Sequence, residues 1–152
     1  MSLANALHVL AATLWVGGMF FAWMVLRPVA AGLLEPPQRL TLWSGVFDRF
    51  FPWVWASVAV LLITGLWMLF AVFGGMAGAR WHIHLMLLLG LVMMAIYLHI
   101  WFAPYRRLRR AVGEADWPEG GRQLGQIRRL IGVNLILGLV TVAIASGGRY
   151  LG

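Results

Sequence analysis

Four stretches of this chain, roughly residues 3–26, 50–73, 81–103 and 130–147, are predominantly apolar and hold no Asp, Glu, Lys or Arg. An α-helix rises ~1.5 Å per residue, so about 20 such residues cross the hydrocarbon core of a bilayer. A charged side chain at the bilayer centre costs several kcal/mol, which explains why charges are confined to the connecting segments. The pattern predicts an all-α integral membrane four-helix bundle, with residues 1–152 forming a single four-span domain. Composition agrees: 62% of the 152 residues are hydrophobic and 11% charged, more apolar surface than a soluble domain of this size can hide. The first span has no positive leader or small-residue cleavage site, so it is expected to be retained. Pro52 is expected in the first turn of the second span, where its missing N–H does little harm. Pro104 is expected to close the third. No internal repeat is evident.

Arginine placement sets the expected orientation. Ten of the twelve arginines flank the inner ends of the spans: Arg27, Arg39, Arg49, Arg106, Arg107, Arg109, Arg110, Arg122, Arg128 and Arg129. Only Arg80 and Arg149 lie at the other end. Cytoplasmic loops carry the excess of positive charge, so both termini are expected outside, in a bacterial inner membrane. The net charge of +7 is then a matter of topology and of an anionic lipid surface, not of nucleic acid. All five acids, Glu35, Asp48, Glu114, Asp116 and Glu119, share the arginine-rich segments. No carboxylate is left within a span to relay protons or cations.

There are no cysteines, so any metal would be held by His, Met or carboxylate. Tyrosines aside, the ionisable side chains in or at the edges of the spans are His8, His82, His84 and His99. His8 lies roughly 8 Å into the first span and His84 roughly 5 Å into the third from the same side. Their matched depth suggests an outer site built from His8 with His84 or His82. His82 and His84 turn about 200° from each other on a regular helix, so one ion cannot easily take both. His99 lies about 22 Å beyond His84, at the level of Asn134, and suggests an inner polar site.

Trp15 follows His8 on the same helical face, and Gly17 and Gly18 remove bulk so that a flat ring or another helix can approach. Imidazoles on facing helices commonly hold a haem iron from both sides. The main expectation is therefore one b-type haem between spans one and three, with His8 and His84 as axial ligands. Its role would be electron transfer or a redox reaction, with a quinone or another membrane-soluble partner. The alternative is copper transport, with His8, His82 or His84 and Met76 receiving the ion, since imidazole and thioether suit copper. Plainer readings exist for each residue. His99 and Asn134 can form an interhelical hydrogen bond, His82 can be an interfacial anchor beside Trp81, and glycines 17, 18, 65, 90, 132 and 138 can serve close packing. Homo-oligomerisation stays open.

"LHVLAATLWVGGMFF" at 7–21 resembles the opening helix of the copper resistance protein D (CopD) membrane domain, with a His followed seven residues later by Trp and a Gly pair. "WHIHLMLLLGLVMMAIYLHIWFAPYRRL" at 81–108 and "RRLIGVNLILGL" at 128–139 are similar to the later helices of that domain and of the HemJ-type protoporphyrinogen oxidases. The resemblance implies a four-helix membrane bundle that handles copper or, in the HemJ branch, binds b-type haem with His8 as a ligand. HemJ-type proteins have a Lys early in the third helix. This chain has His84 there and no Lys anywhere, which argues against porphyrinogen oxidation and for a second imidazole ligand in any haem-dependent oxidoreductase.

Overall fold

The computed structural model describes residues 2–150; Met1, Leu151 and Gly152, and the side chains of Ser2 and Arg149, lie outside the described residues. Four long helical rods form the bundle. The first runs from α1 (Ser2–Phe20) through a π-helical segment (Phe21–Leu26) into α2 (Arg27–Leu33). The second is the single helix α3 (Pro36–Ala71), the third α4 (Trp81–Phe102) followed by α5 (Pro104–Gly113), and the fourth α6 (Trp117–Gly147) with a closing 3₁₀ turn at Gly148–Tyr150. No strand occurs among the described residues.

All four rods are long and apolar enough to cross a membrane, yet only 22–28% of each most apolar window is buried within the bundle. The remaining apolar side chains need lipid, because an outward face that is greasy all round has no other favourable solvent. The bundle is thus a multi-pass membrane protein.

The helices start and stop for local reasons. Pro36 and Pro37 open α3, and Pro104 opens α5, positions where proline's missing N–H has no helical partner to lose. Asp116 caps α6 by accepting a hydrogen bond from the Glu119 N–H at 3.2 Å. Beyond α3 the chain turns through Gly74 and Gly75, both at positive φ, where a Cβ would be strained. Between α5 and α6, Ala115 sits at φ 55 while the Asp116 N–H reaches back to the Ala111 carbonyl. This is a left-handed helix stop of the kind usually occupied by glycine.

Two expectations are corrected here. The segments 27–49 and 104–129, read from hydropathy as inner loops, are mostly helix. Their charged faces lower the mean hydropathy, but their buried faces keep a helical period: Leu40, Trp43 and Phe47 on α3, and Tyr105, Leu108 and Ala111 on α5. Pro52 consequently lies inside α3 and not in its first turn.

In cross-section α1 packs against α3 and α6, and α4 packs chiefly against α6, which leaves α1 and α4 diagonally opposed. Aromatic rings fill the centre towards the arginine-rich end. Phe47 and Phe51 stack at 4.9 Å, and Tyr97 meets Phe51, Trp55 and Trp15 edge-on at 5.5, 5.3 and 6.2 Å. The Tyr97 hydroxyl donates to the Phe51 carbonyl at 3.0 Å, so this ring joins α4 to α3 by both packing and a hydrogen bond.

Candidate functional site

Three of the four histidines lie towards the end of the bundle that holds the chain termini, His8 on α1 and His82 and His84 on α4. His8 projects from α1 towards α3, where its Nδ1 lies 2.8 Å from the Thr64 hydroxyl oxygen. That hydroxyl also donates its hydrogen to the Val60 carbonyl at 2.6 Å. A hydroxyl has one hydrogen, so towards His8 it accepts, and His8 Nδ1 must carry the proton. In the neutral ring the lone pair then falls on Nε2. Gly65 makes room for this arrangement: a Cβ there would lie 3.2 Å from His8 Cε1.

His84, in the first turn of α4, is fixed in the opposite sense. Its Nε2 lies 3.1 Å from the Ala79 carbonyl, which can only accept, so Nε2 bears the proton and Nδ1 the lone pair. Each imidazole is thus oriented by an oxygen acceptor that pins one N–H and leaves the other nitrogen basic, the arrangement typical of metal-ligating histidines. His82 packs edge-on against Trp81 at 5.9 Å and lies under Gly148, where a Cβ would come within 3.0 Å of the His82 Cβ. Met76 is half exposed in the preceding loop.

The remaining expected site residues are not brought together as the sequence suggested. His99 is exposed on the outer face of α4, because Met93, Tyr97 and Ile100 occupy the inward face. Asn134 is buried at 1% exposure and donates to the Met93 carbonyl at 3.1 Å, not to His99. Trp15 is buried against Tyr97 and Gly18 is packed by Phe50, whereas Gly17 opens onto a groove with Thr13, Leu14 and Trp53. Of the expected packing glycines, 18, 65, 132 and 138 each have a neighbour where a Cβ would stand, and 17 and 90 have none.

A haem between α1 and α4 does not fit this interior. The space beside Trp15, Tyr97 and Asn134 is about 10 Å³, whereas cofactor pockets run to roughly 300–1,000 Å³, and the larger groove of about 460 Å³ at Gly17 and Gly18 lies between α1 and α3 and is lined by no histidine. The two proposed axial rings are engaged separately, His8 by α3 and His84 by its own loop. Copper is different in kind, because an ion passing through needs basic nitrogens and not a slot. His8 Nε2 and His84 Nδ1 are basic nitrogens at this end, although no group of three or more His, Cys, Asp or Glu that could hold a metal ion occurs among the described residues.

A family model, copper resistance protein D (CopD), matches residues 44–147, about two thirds of the chain. The protein belongs to the CopD family. The match begins within α3 and covers α4, α5 and α6, and so includes Thr64, His82 and His84. No curated protein and no solved structure matches the chain.

The sequence pointed to His84 and His8 by depth. It gave no sign of Thr64 as the partner of His8, although a Thr followed by Gly in a span is the small, polar pair a neighbouring imidazole needs for close approach.

Proposed function

We propose that this CopD-family protein handles copper in a bacterial inner membrane, with the ion as cargo received at the terminus-bearing end of the bundle. His8 and His84 are its first ligands, assisted by His82 and the thioether of Met76. The observation that carries this reading is the pinned tautomer of both imidazoles, with one nitrogen held as a donor and the other left basic. The family relation supplies the choice of metal, and imidazole with thioether is a donor set that suits copper. Arginine placement favours this end as the outer one.

The test is copper affinity of the full chain in detergent, measured by competition with a chelator. His8→Ala and His84→Ala should each weaken binding at least about tenfold, the size seen when a metal site loses an oriented histidine. His99→Ala, on the lipid-facing side of α4, should leave it unchanged. Equal affinity in all four proteins would overturn the assignment.

A further inference from the structure

At the opposite end of the bundle, one indole is held between the side chain of Arg27 and the backbone of Arg128, and neither arginine has a carboxylate partner among the described residues. The Arg27 guanidinium carbon lies 3.6 Å from the centroid of the Trp23 ring, and Arg27 Nε donates to the Trp23 carbonyl at 3.4 Å. On its other side Trp23 Nε1 donates to the Arg128 carbonyl of α6 at 3.2 Å. The described ion pairs engage Arg109 and Arg122, not Arg27 or Arg128.

This arrangement is built into the backbone. Trp23 belongs to the π-helical segment Phe21–Leu26, and such segments are rare and concentrated at functional sites. The indole can reach α6 because residue 132 is glycine: a Cβ there would fall 2.8 Å from Trp23 Nε1. A guanidinium lying flat on an indole keeps its Nη N–H groups free, and that edge matches the two oxygens of a phosphate. Arg27 and Arg128 both stand at the limit of the uncharged spans. Met24, next to Trp23 in the π segment, and Val133 and Ile136, near Gly132 on α6, are exposed apolar side chains.

We propose that Arg27, Trp23 and Arg128 form a site for the phosphate of an anionic phospholipid, whose acyl chains lie along the adjoining faces of α1 and α6. The lipid phosphodiester sits on the guanidinium edge of Arg27 with Arg128 as a second cation, and the π turn together with Gly132 keeps in place the indole that orients Arg27. The site is independent of the copper reading, since it uses neither its residues nor its end of the bundle.

The experiment is native mass spectrometry of the full chain released from mixed micelles of phosphatidylglycerol and phosphatidylcholine, with thermal midpoints measured in parallel. The wild type should retain phosphatidylglycerol in preference to phosphatidylcholine. Arg27→Gln and Arg128→Gln should each reduce that retention about fivefold, the attraction of one basic residue to an anionic leaflet. Arg107→Gln, on α5 and exposed like Arg128, should not. Circular dichroism checks the fold of each variant, and should one unfold, the other carries the comparison. Equal retention of the two lipids by the wild type, or an equal loss in Arg107→Gln, would reduce the site to a general positive surface and overturn the proposal. Thermal protection by inorganic phosphate equal to that by phosphatidylglycerol would overturn the lipid as its source.

Discussion

The two ends of this bundle are stabilised by different physics. At the arginine-rich end the helices overrun the uncharged spans, and the side chains between them, Leu40, Leu108 and Ile127, are almost completely buried. There the rods leave the lipid, so apolar burial is driven by water as in a soluble protein. At the histidine end, residues 82–92 of α4 are all half-buried or exposed, and the first buried side chain of that helix is Met93. Lipid is as apolar as leucine, so association there relies on close packing and single hydrogen bonds such as His8 to Thr64. One end is a packed scaffold. At the other, α4 is loosely tied, and regions of low local stability are where ligand-binding groups are usually found.

The largest expected effect separates these ends. Leu108→Ala should lower unfolding stability in detergent by about 2–5 kcal/mol, the range for a buried leucine whose site cannot collapse. Leu88→Ala, at 58% exposure on the histidine half of α4, should change it by less than ~0.5 kcal/mol. Comparable losses would show that the two ends share one mode of packing.

Next in size is a change of function without a change of scaffold. Thr64→Val keeps the shape of the side chain but removes the acceptor for His8 Nδ1. Copper affinity, read by chelator competition, should fall about tenfold, as expected for losing the partner that orients a ligand. The thermal midpoint should move little.

Tyr105→Phe probes the arginine-rich end more gently. It removes the hydroxyl that donates to Asp48, whose carboxylate also pairs with Arg109 at 3.2 Å. A loss of about 1 kcal/mol is expected in thermal or denaturant unfolding, the usual net worth of one hydrogen bond. The ion pair is more than half exposed on the arginine side and adds little beyond that.

The smallest expected effect is a gain. Ala115→Gly relieves the positive φ of the α5–α6 turn and should raise stability by up to about 1 kcal/mol, with copper affinity unchanged.

The sequence was most legible where hydropathy and depth suffice. Uncharged runs located the four spans, and residue counting put His8 and His84 at one end. It was least legible in rotation about the helix axis. His99 and Asn134 share a level, but their azimuths differ, so one meets lipid and the other the Met93 carbonyl. The helical extensions were hidden for a related reason. A hydropathy window averages around the helix, so the arginines of α5 cancelled the signal of Tyr105, Leu108 and Ala111, whose three- and four-residue spacing marks a buried stripe. Spacing along the helix puts Trp15 on the face of His8. What it faces, Tyr97 across the diagonal, depends on the order of helices around the bundle, which spacing along one chain does not encode.

The central claim is that two imidazoles are held with His8 Nε2 and His84 Nδ1 as their basic nitrogens. Nitrogen-15 spectra of the histidine rings, recorded on the full chain before and after addition of diamagnetic copper(I), address it directly. The expected result is a proton on His8 Nδ1 and on His84 Nε2 in the metal-free protein, with copper shifting only the opposite nitrogen of each ring. Reversed tautomers, or a copper-induced shift confined to His99, would contradict it.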